Sequence, residues 1–201
     1  MTVSNSINSS NSITTSNKCE RAFVTLVTSE PYVVGALVLG NSIRDLIQSP
    51  DILLVCMVTD AVSADSRKAL ASVFDRIIGV ETLQSRDPDN LKLLNRPDLV
   101  NTITKVNVWS LDWIKKAVFM DADMLVVGKD PKALTSLFER PELSACADIG
   151  WPDCFNSGLF VCEPNMATFR SILSHFHVYG SFDGTHGVFG LCTLINTQNT
   201  Y

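Results

Sequence analysis

The chain lacks a long apolar run, a basic block and a Cys-x-x-Cys pair, and each absence excludes a class of function. Its apolar segments reach only about ten residues, short of the ~20 that a membrane-spanning helix needs. With 16 Lys and Arg against 21 Asp and Glu, a net charge of −5 and no basic cluster, it is poorly suited to nucleic acid or an anionic membrane. The N-terminus has neither a charged n-region nor an apolar h-region, so no secretory signal is expected. Six cysteines (Cys19, Cys56, Cys146, Cys154, Cys162, Cys192) are scattered through apolar segments. An even count allows pairing, but without a signal these are expected to be reduced core residues of a cytoplasmic protein. What is present is apolar: 46% hydrophobic against 18% charged residues describes a globular chain. At 201 residues it suits one domain with extensions.

Residues 1–18 are Ser, Asn and Thr punctuated by lone apolar residues, a low-complexity tail expected to be disordered. Ala22–Val27 then reads as a buried strand. Thr28-Ser29-Glu30-Pro31 breaks it with a cap and a helix-start proline, and Tyr32–Leu46 has helical period. Ile52–Val58 and Arg76–Val80 read as strands, with a helix over Ser63–Val73 between them. Thr82–Val100 is polar and irregular and is expected to be a long loop. A helix over Asn101–Trp113 leads into a strand, followed by a short helix over Pro131–Phe138. Leu143–Ala147 and Asn156–Val161 read as strands and Met166–His177 as a helix. Strands alternating with helices predict parallel pairing through crossovers, hence an α/β sheet flanked by helices.

The stretch that organises the rest is Ala117–Val127, an apolar run interrupted by Asp121 and Asp123. Its composition predicts a buried strand, on which two acids two positions apart project the same way. Two desolvated carboxylates on one side repel, and a hard divalent cation relieves that repulsion. Mg²⁺ or Mn²⁺ takes one or two protein carboxylates together with substrate phosphates, so the pair points to a metal–diphosphate site. Asp-x-Asp taken alone also suits a solvated or salt-bridged pair at a strand end. In such sheets ligands bind beyond the carboxyl ends of the strands, where Thr28 and both acids would lie.

Several stretches carry a family resemblance in order along the chain: Ala-Phe-Val-Thr-Leu (22–26), Gly-Ala-Leu-Val-Leu-Gly (35–40), Ile103-Thr104-Lys105 and Val-Phe-Met-Asp-Ala-Asp (118–123). They continue with Gly-Trp-Pro-Asp-Cys-Phe-Asn-Ser-Gly (150–158) and Gly-Ser-Phe-Asp-Gly (180–184). From Arg21 to Asp183 the chain resembles the glycogenins of glycosyltransferase family 8. The resemblance implies a GT-A-type, Rossmann-like nucleotide-sugar domain over residues 19–184, with a mixed, mostly parallel sheet. It also implies Mn²⁺-dependent (or Mg²⁺-dependent), retaining transfer of glucose from UDP-glucose, first to a tyrosine and then along an α-1,4-glucan primer. Homodimerisation and a glycogen synthase partner are implied with it.

By the same resemblance Asp121 and Asp123 are metal ligands, with Ala122 between them against the donor. Leu26, Thr28, Ser29 and Tyr32 correspond to the uridine-binding strand end and the turn after it. Arg96 and Lys105 correspond to cations on the diphosphate and the sugar, a task for which Arg offers a fork and Lys a point charge. Asn156 and Ser157 correspond to groups on the glucose hydroxyls, beside Trp151-Pro152-Asp153 as a pocket wall. Asp183 corresponds to a carboxylate lining the reacting sugar; it and Lys105 are the expected catalytic residues. After Gly184 the resemblance stops: His186 and Gly187 stand where the family has an acid and a glutamine. Residues 185–201 are therefore expected to be a non-matching tail on a C-terminally incomplete domain. Three readings follow: an active glucosyltransferase, a catalytically dead nucleotide-sugar-binding or interaction fragment of one, or a sister family-8 enzyme with another acceptor or sugar; the Trp-Pro-Asp-Cys-Phe-Asn-Ser-Gly match favours the first over the third.

Overall fold

The computed structural model describes residues 19–83, 97–147 and 155–179. Six strands form one sheet: β1 (Cys19–Val27), β2 (Ile52–Val58), β3 (Arg76–Gly79), β4 (Ile114–Met120), β5 (Ser144–Ala147) and β6 (Phe155–Cys162). Their spatial order is β3-β2-β1-β4-β6-β5. β1 pairs parallel with β2 and β4, and β2 parallel with β3. β6 runs antiparallel to both β4 and β5. The sheet is parallel at its centre, as the alternation of strands and helices leads one to expect, and mixed through the antiparallel β6, as the family resemblance implies.

Helices cover both faces. Helix α1 (Pro31–Leu46) starts on its proline, and helix α2 (Ala64–Ala71) is capped by Ser63, whose Oγ accepts from the Ser66 N–H at 3.2 Å. With the short α3 (Pro131–Thr135) they pack on the face that carries Phe23, Val27, Val58, Val118 and Met120. The other face carries Val24, Leu26, Ala117, Phe119 and Phe160. It is covered by α4 (Met166–Tyr179) and by a 3-10 stretch, Pro97–Ser110, which supplies the buried Trp109. Phe119 and Trp109 both stack with Phe160, at ring-centroid separations of 4.9 and 5.4 Å.

The structure departs from the sequence-based expectations at three points. Glu30 does not cap its own helix; its carboxylate accepts from the Ser63 N–H and the Ser66 hydroxyl, tying the start of α1 to that of α2. The helix expected over Asn101–Trp113 is the earlier-starting 3-10 stretch. A run of that length is unusual for this helix type, but residues 103–109 are all buried, so its tighter winding is held by packing on every side. Its buried polar groups are satisfied: Asn107 donates to the Glu81 and Thr104 carbonyls, and the Thr104 hydroxyl exchanges bonds with the Leu83 backbone. Third, the central strand ends at Met120 rather than Val127. Residues 1–18, most of the expected loop, and 180–201 lie outside the described residues.

Candidate active site

Connectivity alone picks out one rim of the sheet. From β1 the chain steps outward to β2 and β3, then returns to place β4 on the opposite side of β1. The strand order therefore reverses between β1 and β4, and open α/β sheets bind ligands beyond the carboxyl ends of the strands at such a switch point. Thr28 follows one of those strand ends and Asp121 the other. Because β6 is antiparallel to β4, its first residues reach the same rim: Leu159 pairs with Met120, and the Asp121 N–H donates to the Gly158 carbonyl at 2.8 Å.

At that rim Lys105 is buried, delivered from beneath by the 3-10 stretch. Its Nζ lies 2.9 and 3.1 Å from the two Asp121 carboxylate oxygens, 3.2 Å from the Ser157 hydroxyl and 3.3 Å from the Ser157 carbonyl. The Phe119 ring lies beneath, its centroid 5.6 Å from the ammonium. Burial pushes the Asp121 carboxyl above its ordinary range; the Lys105 ammonium pulls it down without cancelling the effect, and the charge of Asp123 adds to the rise. One ion pair thus sits at the floor of the site, with a carboxylate whose ionised form burial disfavours.

The acids do not project from a strand, as their spacing suggests. Asp121-Ala122-Asp123-Met124 is a turn closed by the Met124 N–H on the Asp121 carbonyl at 3.1 Å. Asp121 faces Lys105 while Asp123 is exposed, with no side-chain partner among the described residues. The strand stops here because its ladder with β6 stops; Leu125 and Val127 beyond it are exposed.

This donor set suits a hard cation that arrives with a diphosphate. Among the described residues no three His, Cys, Asp or Glu side chains converge into a closed cage. Mg²⁺ and Mn²⁺ need none: one or two carboxylates and phosphate oxygens suffice. Each Asp121 oxygen keeps a lone pair beyond the one Lys105 uses, and Asp123 is unengaged among the described residues.

The other expected residues gather at the same rim or lie outside view. Leu26 is buried in β1; the Thr28 carbonyl accepts from the Thr59 hydroxyl at 2.8 Å, and the Ser29 carbonyl from the Tyr32 N–H at 3.1 Å. That leaves the Tyr32 ring half exposed in the first turn of α1. Ala122 is buried and Asn156 exposed, the latter accepting from the Gly158 N–H at 2.8 Å in an Asx turn that leaves its amide N–H₂ for another partner. Arg96, Asp183 and Trp151-Pro152-Asp153 lie outside the described residues. Sequence reasoning assigned no role to Phe119 or to Gly158, where an added Cβ would meet Asn156 Oδ1 at 2.8 Å and Asp121 Oδ2 at 3.1 Å. The glycine inside Asn-Ser-Gly was the available signal for the latter, since a glycine in a strand often marks close approach.

No protein-family model matches the chain. Curated relatives do: rabbit (Oryctolagus cuniculus) glycogenin-1 is 48% identical over 165 residues, 82% of this chain and 48% of that protein. Human (Homo sapiens) glycogenin-2 is 45% identical over 165 residues, covering 82% and 32%. Glycogenin of Neurospora crassa is 37% identical over 185 residues, covering 92% and 26%. The chain spans about half the length, or less, of the curated relatives it matches. Among solved structures, the galactosyltransferase LgtC superposes with a TM-score of 0.58 at 16% identity, over 84% of this chain and 70% of that one. The bifunctional glycosyltransferase WbbM gives 0.60 at 16%, over 85% and 37%. The two structures share the fold, and the extended sequence identity identifies the lineage: this chain belongs to the glycogenin family of glycosyltransferases.

Proposed function

We propose that this chain carries the donor site of a retaining, Mn²⁺-dependent glucosyltransferase that takes glucose from UDP-glucose. Its acceptors are a protein tyrosine and then the growing α-1,4-glucan, so that the product primes glycogen. The observation that carries this reading is the buried Lys105–Asp121 pair at the β1/β4 switch point, set in a sequence nearly half identical to glycogenin-1. The glycosyltransferase unit on this reading is 19–184, working in the cytoplasm as a homodimer with glycogen synthase as partner. No helix among the described residues is long and apolar enough to cross a membrane, and Cys19, Cys56 and Cys146 carry free thiols.

Each residue has a task. Asp121 and Asp123 would hold the cation, which supplies neutralisation of the charge that gathers on UDP as the glycosidic bond breaks. Lys105 favours the ionised form of the Asp121 carboxylate against burial, aims it, and presents a fixed positive charge to the diphosphate. Leu26, Thr28, Ser29 and Tyr32 form the uracil and ribose edge, where backbone groups read the base and the Tyr32 ring offers a stacking face. The Asn156 amide and Ser157 hydroxyl orient the glucose hydroxyls. Arg96 and Asp183 are assigned by resemblance, to the diphosphate and to the reacting sugar carbon.

The test is incubation with labelled UDP-glucose and Mn²⁺, scoring label on the protein and transfer to an added maltoside. Either signal supports the assignment. Donor binding without transfer would favour the fragment that lacks turnover, and neither binding nor transfer by folded protein would overturn the reading.

A further inference from the structure

Helix α1 contains two glycines, Gly35 and Gly40, in ordinary helical backbone, where glycine is a poorer helix former than alanine. Local preference therefore opposes both, and tertiary contact must favour them. At Gly40 a Cβ would meet Val73 Cγ1 at 2.7 Å and Phe74 Cζ at 2.9 Å, side chains beside α2. At Gly35 the obstacle is backbone: the Ala122 carbonyl oxygen, 2.5 Å away, in the middle of the turn that carries both acids. Two helical turns along the same side of α1, the Ser42 hydroxyl donates to the Leu39 carbonyl at 2.7 Å and accepts from the Val126 N–H at 3.2 Å. That second bond anchors the far end of the same segment. Residues 122–126 have no strand partner, so the helix supplies what a ladder would otherwise provide.

We propose that Gly35 and Ser42 are positioning residues: α1 acts as a rail against which the segment from Ala122 to Val126 is docked, fixing where Asp121 and Asp123 stand relative to Lys105. The inference rests on the donor-site reading for its functional consequence, though not for its structural one. Ordinary contact begins near 3.4 Å, so Gly35→Ala must part the two backbones by about 0.9 Å. Misplacement by about 1 Å costs on the order of 100-fold where geometry is decisive.

The test compares Gly35→Ala with Gly40→Ala, two equal additions of volume to one helix, alongside Ser42→Ala and Ser42→Thr. Amide hydrogen exchange is followed at Asp121, Met124 and Val126, and UDP is titrated in the presence of Mn²⁺. Gly35→Ala is expected to speed exchange across 121–126 and to weaken UDP binding roughly 10- to 100-fold. Gly40→Ala should lower the melting temperature while leaving both readouts at the wild-type value. Ser42→Ala should speed exchange at Val126, and Ser42→Thr, which keeps the hydroxyl, should restore it. Unchanged exchange at 121–126 in Gly35→Ala, or equal changes in Gly40→Ala, would overturn the inference. Should wild-type protein bind no UDP while exchange follows the pattern above, the donor-site reading fails and the rail stands. If Gly35→Ala proves unfolded, the two Ser42 variants decide by the same exchange readout.

Discussion

Replacing Lys105 with methionine keeps the volume of the side chain and removes its charge. The ammonium side chain is 7% exposed and its Asp121 partner 35%, so the substitution strands an anion that is mostly shielded from water. Breaking a fully buried pair typically costs 3–5 kcal/mol; with a third of Asp121 in solvent, about 2–3 kcal/mol is expected at neutral pH. The loss should depend on pH, with a definite sign. Burial already sets the folded Asp121 carboxyl above its unfolded value, so its contribution is full below the ordinary carboxylate range and is lost as pH rises through the folded value. Without Lys105 the folded value climbs further. The deficit of Lys105→Met should therefore be small near pH about 4 and grow toward neutrality. Urea unfolding of Lys105→Met, Asp121→Asn and the double variant measures this. The double variant leaves no buried charge and should lose less than the sum of the two singles, by about 1–2 kcal/mol. Additivity within about 0.5 kcal/mol, or a Lys105→Met deficit that does not change with pH, would show that the two groups are not a coupled buried pair.

Two further outcomes follow from the packing. Burial pushes the Cys56 thiol up to about 12, so iodoacetamide at pH about 8 should alkylate exposed Cys146 and spare Cys56 until the protein is unfolded, as read by peptide mass spectrometry. Because the folded thiol lies above the unfolded one, this site's contribution to stability is full below the ordinary thiol range and fades as pH rises from there toward about 12. Gly158→Ala places a methyl 3.1 Å from Asp121 Oδ2 and 2.8 Å from Asn156 Oδ1, both at the ends of side chains. It should leave the melting temperature nearly unchanged yet weaken UDP binding in a Mn²⁺-supported titration; unaltered binding would separate Gly158 from the site.

The periodic elements were legible because hydrophobic alternation and punctuation are local. Pro31 starts α1, Ser63 caps α2, and the apolar runs at 22–27 and 52–58 are strands. What sequence could not show was set by partners distant in the chain. Ala117–Val127 looks like one strand, but β6 offers pairing only as far as the Asp121 N–H; beyond it Ala122 and Val126 lie against α1 while Leu125 and Val127 face solvent. The helical period over Asn101–Trp113 likewise could not reveal that packing on all sides would wind it as a 3-10 stretch. At the site, residue types and spacing pointed to Asp121, Asp123 and the strand ends. Lys105 was named only through resemblance, since an isolated lysine sixteen residues upstream of its carboxylate carries no local signal. Gly35 stood in a quoted motif, but its reason is a carbonyl eighty-seven positions away.

The most direct measurement is calorimetric titration of UDP into wild-type protein and Asp121→Asn, each with Mn²⁺ and with chelator. Binding by wild type is expected to need Mn²⁺ and to be lost in Asp121→Asn while the variant remains folded by circular dichroism. Binding of equal strength with chelator present, or undiminished in folded Asp121→Asn, would contradict a donor site built on that carboxylate.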